Sequence, residues 1–431
     1  MKLAFLYSFE QSTWKSCQTI TKNLKATYNL IGQLQSKDFD LNDQTTSFEM
    51  MKTASDIVAF APESIVILDH KPHPQKILAF IHSTYIDKKI KKLPSIIIHV
   101  FGDFTLYSAE WIKLEKTLKN FSVKLVCASD SQKELVTKFL KNKKAGIYKC
   151  PFPVDPKEFY FDSVMREKSR KALKLSNDQI MYVYTGRLSL QKKVIDLIID
   201  FTAYLKISKS DSYLFLAGEF DDLGNPFKGV YSKEGAFYQN YNKLLNSLDE
   251  EIRNRIKYVG NLTTEELRNL YSTADVFISL SVHNDEDYGM SPAEALCTGL
   301  PLILTEWAGY KSFKLENNEC HLISTTIGER YLNYNKAELL KAFLLMSKNI
   351  TTLRAQRSPL QKINCTHLSI ASNKQILAKI LDDKAPLFGG FSSLITDLAK
   401  AFKKHPPFVT VKTEYAYSEL YKKIYDSYIS K

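Results

Sequence analysis

The strongest constraint on the fold of this chain is an alternation of short apolar runs with amphipathic stretches. It occurs twice, with a proline-rich break between the two series. In the first half the apolar runs are residues 3–7, 64–68, 95–100 and 123–127. Such runs are too short for helices and are nearly continuous, as strands buried on both faces of a parallel sheet are. Cys150-Pro151-Phe152-Pro153-Val154-Asp155-Pro156 then interrupts the pattern and reads as a connection between domains. The alternation restarts with runs at 180–184, 213–217, 256–259, 276–280 and 302–305, and with a helix expected over 191–205. Parallel strands need long crossover connections, usually helices. Two strand–helix series therefore predict an α/β protein of two Rossmann-like, doubly wound domains, with ligands beyond the carboxyl ends of the strands and a cleft between the domains. The expected boundaries are 1–160, 175–400 and a C-terminal helix at 411–431 that packs back.

The stretch richest in chemistry is Asn284-Asp285-Glu286-Asp287-Tyr288-Gly289-Met290-Ser291-Pro292-Ala293-Glu294, followed by Gly299 and Pro301. Ser291 is expected as a helix N-cap, with Pro292 at the first helical position and Glu294 at the third. Gly299 and Pro301 end the helix. The open amides of a helix start attract anions, so Gly289, Met290 and Ser291 are candidate phosphate contacts. The simpler structural alternative is a capping box, in which Glu294 only bonds back to Ser291. Capping does not account for Asp285, Glu286 and Asp287 on the preceding loop, and loops on a rigid scaffold often carry function.

The run at 180–184 leads into Thr185-Gly186-Arg187-Leu188-Ser189-Leu190-Gln191-Lys192-Lys193. Arg187 and Lys192 follow a strand's carboxyl end, where two cations can clamp a diphosphate. His99 closes another apolar run and is expected at the cleft. His70 and His73 are weaker candidates, and H-x-x-H alone lacks a third metal ligand, so no metal site is expected. Ser131-Gln132-Lys133-Glu134 and Thr263-Thr264-Glu265-Glu266 read as helix-starting capping boxes. Absence of G-x-G-x-x-G, P-loop, H-E-x-x-H and G-x-S-x-G motifs argues against dinucleotide redox, P-loop phosphoryl-transfer and the corresponding hydrolase classes.

At 431 residues the chain is long enough for two cores. No run of about 18 apolar residues is present to span a membrane, and the apolar run after Met1 is too short for a signal peptide. Six scattered cysteines without a C-x-x-C pair fit free thiols in a reducing cytoplasm, the expected location. The net charge of +12 is uneven: residues 1–150 hold 22 lysines and no arginine against 14 acidic residues. The clusters Lys88, Lys89, Lys91, Lys92 and Lys138, Lys141, Lys143, Lys144 read first as solvated faces. Their functional alternative is peripheral contact with an anionic membrane or acceptor. They lack interleaved aromatics, so no nucleic-acid partner is expected.

Together these segments resemble the retaining, family-4 type glycosyltransferases of the GT-B fold. The family's E-x-F-G-x-x-x-x-E-A-x-x-x-G-x-P element matches Glu286, Gly289, Glu294, Ala295, Gly299 and Pro301. Its G-R-L-x-x-x-K element matches Gly186, Arg187, Leu188 and Lys192, and the stretch from Gly260 to Phe277 matches the segment between. Pro153-Val154-Asp155 with Phe159 resembles the passage out of the N-domain. The resemblance implies a nucleotide-diphosphate sugar as donor substrate, no cofactor, and a glycan or lipid-linked acceptor. By it, Arg187 and Lys192 would neutralise the diphosphate in place of a metal. Glu294 would bond ribose, Glu286 the donor sugar, and His99 would approach that sugar. Three features depart from the family: Ser8-Phe9-Glu10-Gln11-Ser12-Thr13-Trp14 replaces a glycine-rich loop, Lys193 stands where glycine is usual, and Ala308-Gly309 leaves one glycine of a pair. Two rivals remain. Asp285-Glu286-Asp287 is a D-x-D that a metal-dependent glycosyltransferase would use; alternatively, the scaffold binds nucleotide sugar or glycan without turnover.

Overall fold

The computed structural model describes the chain except residues 11–14, 43–44, 70–72, 143–145, 225–233, 285, 315–318, 329–331, 405–417 and 430–431. It divides into two units, Met1–Pro153 with Ile370–Lys404, and Val154–Ser369 with His405–Lys431. The boundary lies in the proline-rich passage. Residues 370–400 differ from the expected grouping: they belong with the first unit, although they follow Val154–Ser369 of the second in sequence.

The first unit holds a six-stranded parallel sheet of β1 (Lys2–Tyr7), β2 (Gln35–Asp40), β3 (Ser64–Ile67), β4 (Ser95–His99), β5 (Val123–Cys127) and β6 (Ile147–Lys149), in the order β2-β1-β3-β4-β5-β6. Its inner strands β1, β3, β4 and β5 are buried almost throughout, which is why they read as unbroken apolar runs. The helices Ile370–Asp382 and Ser393–Lys404 pack on Lys15–Asn29 and Ser108–Leu118.

The second unit repeats the plan with β7 (Ile180–Thr185), β8 (Ser212–Ala217), β9 (Ile256–Tyr258), β10 (Val276–Ser279), β11 (Leu302–Thr305) and β12 (Cys320–Ile323), ordered β12-β11-β10-β7-β8-β9 and again parallel. A small antiparallel pair, β13 (Thr325–Ile327) and β14 (Leu332–Tyr334), follows. The core between β7, β8, β10 and the helices Val194–Ser208 and Lys336–Lys348 includes Tyr182, Phe201, Tyr204 and Phe343. Both sheets are thus doubly wound, as the alternation predicts.

Within the two six-stranded sheets, three strands do not show as apolar runs: β2, β6 and β12. All three are sheet edges. An edge strand is only half covered, and β2 (QSKDFD) is largely exposed, so its pattern is polar. Helix starts are also corrected in two places. The helix expected from Ser131 runs Asp130–Lys138 and is capped by Ser129, whose hydroxyl accepts the Gln132 N–H at 3.2 Å. The helix expected over 191–205 runs Val194–Ser208, because Lys193 takes a left-handed conformation with φ 56°. Thr263 and Glu266 do form their reciprocal capping box.

Candidate functional site

In the second sheet the strand order reverses between β7 and β10. At such a switch point the connections leave to opposite faces, opening a crevice at the carboxyl edge. The segments after β7 and β10 therefore start side by side. This places Lys192 within reach of Glu286, 94 positions later: Lys192 Nζ donates to Glu286 Oε2 at 2.6 Å. Both side chains are largely buried. Burial alone would raise the Glu286 carboxyl, but the Lys192 ammonium, with Ser281 and His283 adding less, holds it below the usual carboxylate range. Glu286 is an anion poised on a cation.

Arg187 is held in the same way. Leu188 bridges Phe220, with its N–H on the Glu219 carbonyl at 2.7 Å and its carbonyl accepting the Asp221 N–H at 3.0 Å. That pairing brings the Asp221 carboxylate onto the Arg187 guanidinium, a charge-assisted bond. Tyr184 Oη donates to the Arg187 carbonyl at 2.7 Å, which fixes the turn after Gly186. Two cations thus lie on one loop, each oriented by a carboxylate from elsewhere in the unit.

The helix after the acidic loop runs Met290–Cys297 and starts two residues earlier than expected. Its N-cap is Gly289, with φ 103°, and no side chain caps it. Ser291 is therefore not the N-cap, and the Ser291–Glu294 capping box does not form. The glycine is needed because a Cβ there would lie 2.6 Å from Tyr310 Cε1 on top of an unfavourable φ. The first-turn amides of Gly289, Met290 and Ser291 have no intrahelical acceptor. Glu294 falls in the second turn and is buried near the Tyr271 hydroxyl, which also meets Thr185 Oγ1 at 2.6 Å.

Gly309 has a different local task from the expected phosphate approach. A Cβ at Gly309 would lie 2.4 Å from the backbone of Asp287 and Tyr288, so glycine lets the turn Ala308–Phe313 press against the acidic loop. Its N–H donates to the Glu286 carbonyl at 2.8 Å and is committed there. In the first unit, His99 at the end of β4 is 1% exposed, with Nε2 2.9 Å from Tyr28 Oη. Burial pushes its pKa down to about 3, so the imidazole is neutral at pH 7 and turned into its own unit. His73 lies edge-on to Trp111, with ring centroids 6.4 Å apart. His70, Asp285, Lys143, Lys144 and the loop residues 11–14 lie outside the described residues.

Sequence reasoning missed Asp221, Tyr184, Tyr271 and Tyr310. Tyr310 Oη meets Ser279 at 2.9 Å, and its hydroxyl is raised by burial and by the nearby Glu286. For Asp221 a signal existed: Asp221-Asp222 closely follow the carboxyl end of a strand. Tyr271 had one as well, since it lies in the family-like stretch from Gly260 to Phe277; Tyr184 and Tyr310 gave none, each reading as an ordinary core aromatic.

Residues 165–325 match the model of the family Glycosyl transferases group 1. That stretch contains Arg187, Lys192, Glu286, Glu294 and Gly309, and it is confined to the second unit. Over 184 residues the chain is 24% identical to an uncharacterised glycosyltransferase of Methanocaldococcus jannaschii, covering 40% of this chain. The match spans 42% of that relative's length. Among solved structures, Anabaena HepE in complex with UDP aligns with a TM-score of 0.64 at 14% identity, covering 88% of this chain and 99% of that one. A glycosyltransferase of Rickettsia africae gives 0.63 at 14%, covering 88% and 97%. Sucrose-phosphate synthase of Thermosynechococcus elongatus gives 0.59 at 13%, covering 88% and 98%. With two six-stranded parallel sheets, these likenesses show the GT-B fold.

Proposed function

We propose that this protein is a retaining, metal-independent glycosyltransferase that moves a sugar from a nucleotide-diphosphate donor to a hydroxyl of a glycan or lipid-linked acceptor. One observation carries the reading: the Lys192–Glu286 pair at the switch point, beside Arg187 and the open amides of Met290–Cys297. As the glycosidic bond to the donor phosphate breaks, negative charge grows on the leaving diphosphate. Arg187, Lys192 and the helix-start amides are preorganised to stabilise it, the role a metal fills elsewhere. Glu286 would accept from donor-sugar hydroxyls, and Glu294 would hold the ribose. His99 is proposed to assist from the first unit, which requires its imidazole to become accessible. Structures similar in fold were solved with UDP and UDP-glucose, which favours a uridine-type donor as the first to try. Lys88, Lys89, Lys91 and Lys92 are all exposed in the first unit, which supports peripheral contact of a cytoplasmic enzyme with an anionic membrane or acceptor.

The test screens UDP, GDP, ADP and their sugars for thermal stabilisation, then follows transfer and the product anomer by NMR. A stabilising nucleotide raises the melting temperature because it binds only the native state. We expect one diphosphate series to stabilise, the product to keep the donor's anomeric configuration, and activity to persist in excess chelator. Complete, metal-reversible loss would favour the Asp285/Asp287 metal reading. Tight donor binding with neither transfer nor hydrolysis would mean a binding protein on this scaffold.

A further inference from the structure

The C-terminal helix Ser418–Tyr425 and the turn Asp426–Tyr428 after it do more than cover the second unit. Tyr421 Oη donates to Asn284 Oδ1 at 2.9 Å, and both side chains are 1% exposed. Asn284 stands two residues before Glu286 on the same loop. The turn Ala308–Phe313 also supports that loop, through the Gly309 N–H on the Glu286 carbonyl. The C-terminal segment holds this turn as well: Lys311 Nζ donates to the carbonyls of Ser427 at 2.9 Å and Ile429 at 3.1 Å. Tyr428 meets the ring of Trp307 edge-on at 5.4 Å, and Trp307 Nε1 donates to the His283 carbonyl at 2.9 Å. Asn284 is thus tied to the segment 418–429 directly, His283 through Trp307, and Glu286 through the turn Ala308–Phe313.

We propose that this segment is a clasp that positions the Glu286 loop, with Tyr421 and Asn284 as its positioning pair. The inference rests on the donor-site reading above for its functional consequence, but not for its structural one. A loop whose backbone carries the charged group needs support from packed neighbours, since small misplacement of a reacting group is costly in rate. Here much of that support is supplied by a chain segment more than 130 residues away from the loop it holds, the Tyr421–Asn284 separation being 137.

The test compares wild type with Tyr421→Phe, Asn284→Ala and the double variant. Tyr421→Phe deletes one hydroxyl and keeps the ring packing. Hydrogen exchange of a peptide covering 281–290 should speed up about five-fold or more in Tyr421→Phe, while a peptide covering 180–186 in β7 stays unchanged. With the donor found above, kcat should drop about ten-fold in either single variant and no further in the double, with affinity for that donor's nucleotide diphosphate held within about two-fold. Unchanged exchange at 281–290, or kcat losses that multiply in the double variant, would overturn the clasp. Should wild type transfer no sugar from any donor, the donor-site reading fails, and the exchange result decides the positioning role by itself.

Discussion

At Glu286 two effects compete: burial favours the neutral carboxylic acid, and the Lys192 ammonium at 2.6 Å favours the anion and wins. Arg187 has the corresponding arrangement with Asp221. We expect Glu286→Ala and Arg187→Ala each to lower turnover at least ~10²-fold in steady-state assays, with the circular dichroism spectrum retained. Loss of fold in either variant would mean that the pairs serve stability first. Arg187, Lys192 and Glu286 stood out in the sequence as candidates, the glutamate because three adjacent acids beside a glycine have no folding rationale, the cations because they follow a strand's carboxyl end. Asp221 and the hydroxyls of Tyr184 and Tyr310 were not, because their relevance comes only from which loop lies beside them. Gly309 shows the reverse case: its chemistry was visible, but its task, the close approach to Asp287 and Tyr288, belongs to packing.

Among the elements, the helix Thr264–Thr273 ends against an unusual concentration of charge. Its last carbonyls, of Tyr271, Ser272, Thr273 and Ala274, accept from Arg166, Arg170 and Arg357. Asp275 then receives Arg166, Arg170 and Arg354, as well as the Met181 N–H at 2.8 Å. Four arginines around one carboxylate leave a surplus of positive charge, which the partial negative charge of the helix end offsets. Burial would raise the Asp275 carboxyl, but the arginines, Arg354 first, lower it to about 2. Its ordinary value is 3.8, so the unfolded chain takes up a proton that the folded one refuses as acid is added. The associated stabilisation, about 2 kcal/mol, is present in full above pH ~4 and is lost as pH falls toward 2. Asp275→Asn should cost about 3–5 kcal/mol in denaturant unfolding at pH 7 and flatten the acid limb between pH 4 and 2. An unchanged acid limb would show that other carboxylates govern it. The Ala274-Asp275-Val276-Phe277 motif was legible in the sequence, but its place before β10, opposite the strand end that carries the site, makes it structural.

For the molecule as a whole, the defining event is the return of residues 370–404 to the first unit, between the two stretches, Val154–Ser369 and His405–Lys431, that make up the second. Lys124, a residue of β5 that is 2% exposed, sends Nζ to the carbonyls of Ile380 at 2.5 Å and Leu381 at 3.0 Å, capping the returning helix Ile370–Asp382. Lys124→Met keeps the length of the side chain and removes its donors. It should destabilise the first unit by about 1–3 kcal/mol and speed proteolysis between 382 and 392, while affinity for the nucleotide diphosphate that stabilises the wild type is unchanged. Weakened nucleotide binding in that variant would argue against independent behaviour of the proposed donor site. The sequence by itself determined two doubly wound sheets, because strands buried on both faces must be continuously apolar, and it marked Arg187, Lys192 and Glu286 by their charge next to such strands. Only the tertiary structure decided the partners: Lys192 on Glu286, Asp221 on Arg187, Tyr421 on Asn284, and Lys124 on a helix more than 240 residues later. Burial periodicity is a local property of a segment and survives in one dimension. Which polar group meets which depends on strand order and chain return, and no local pattern records those.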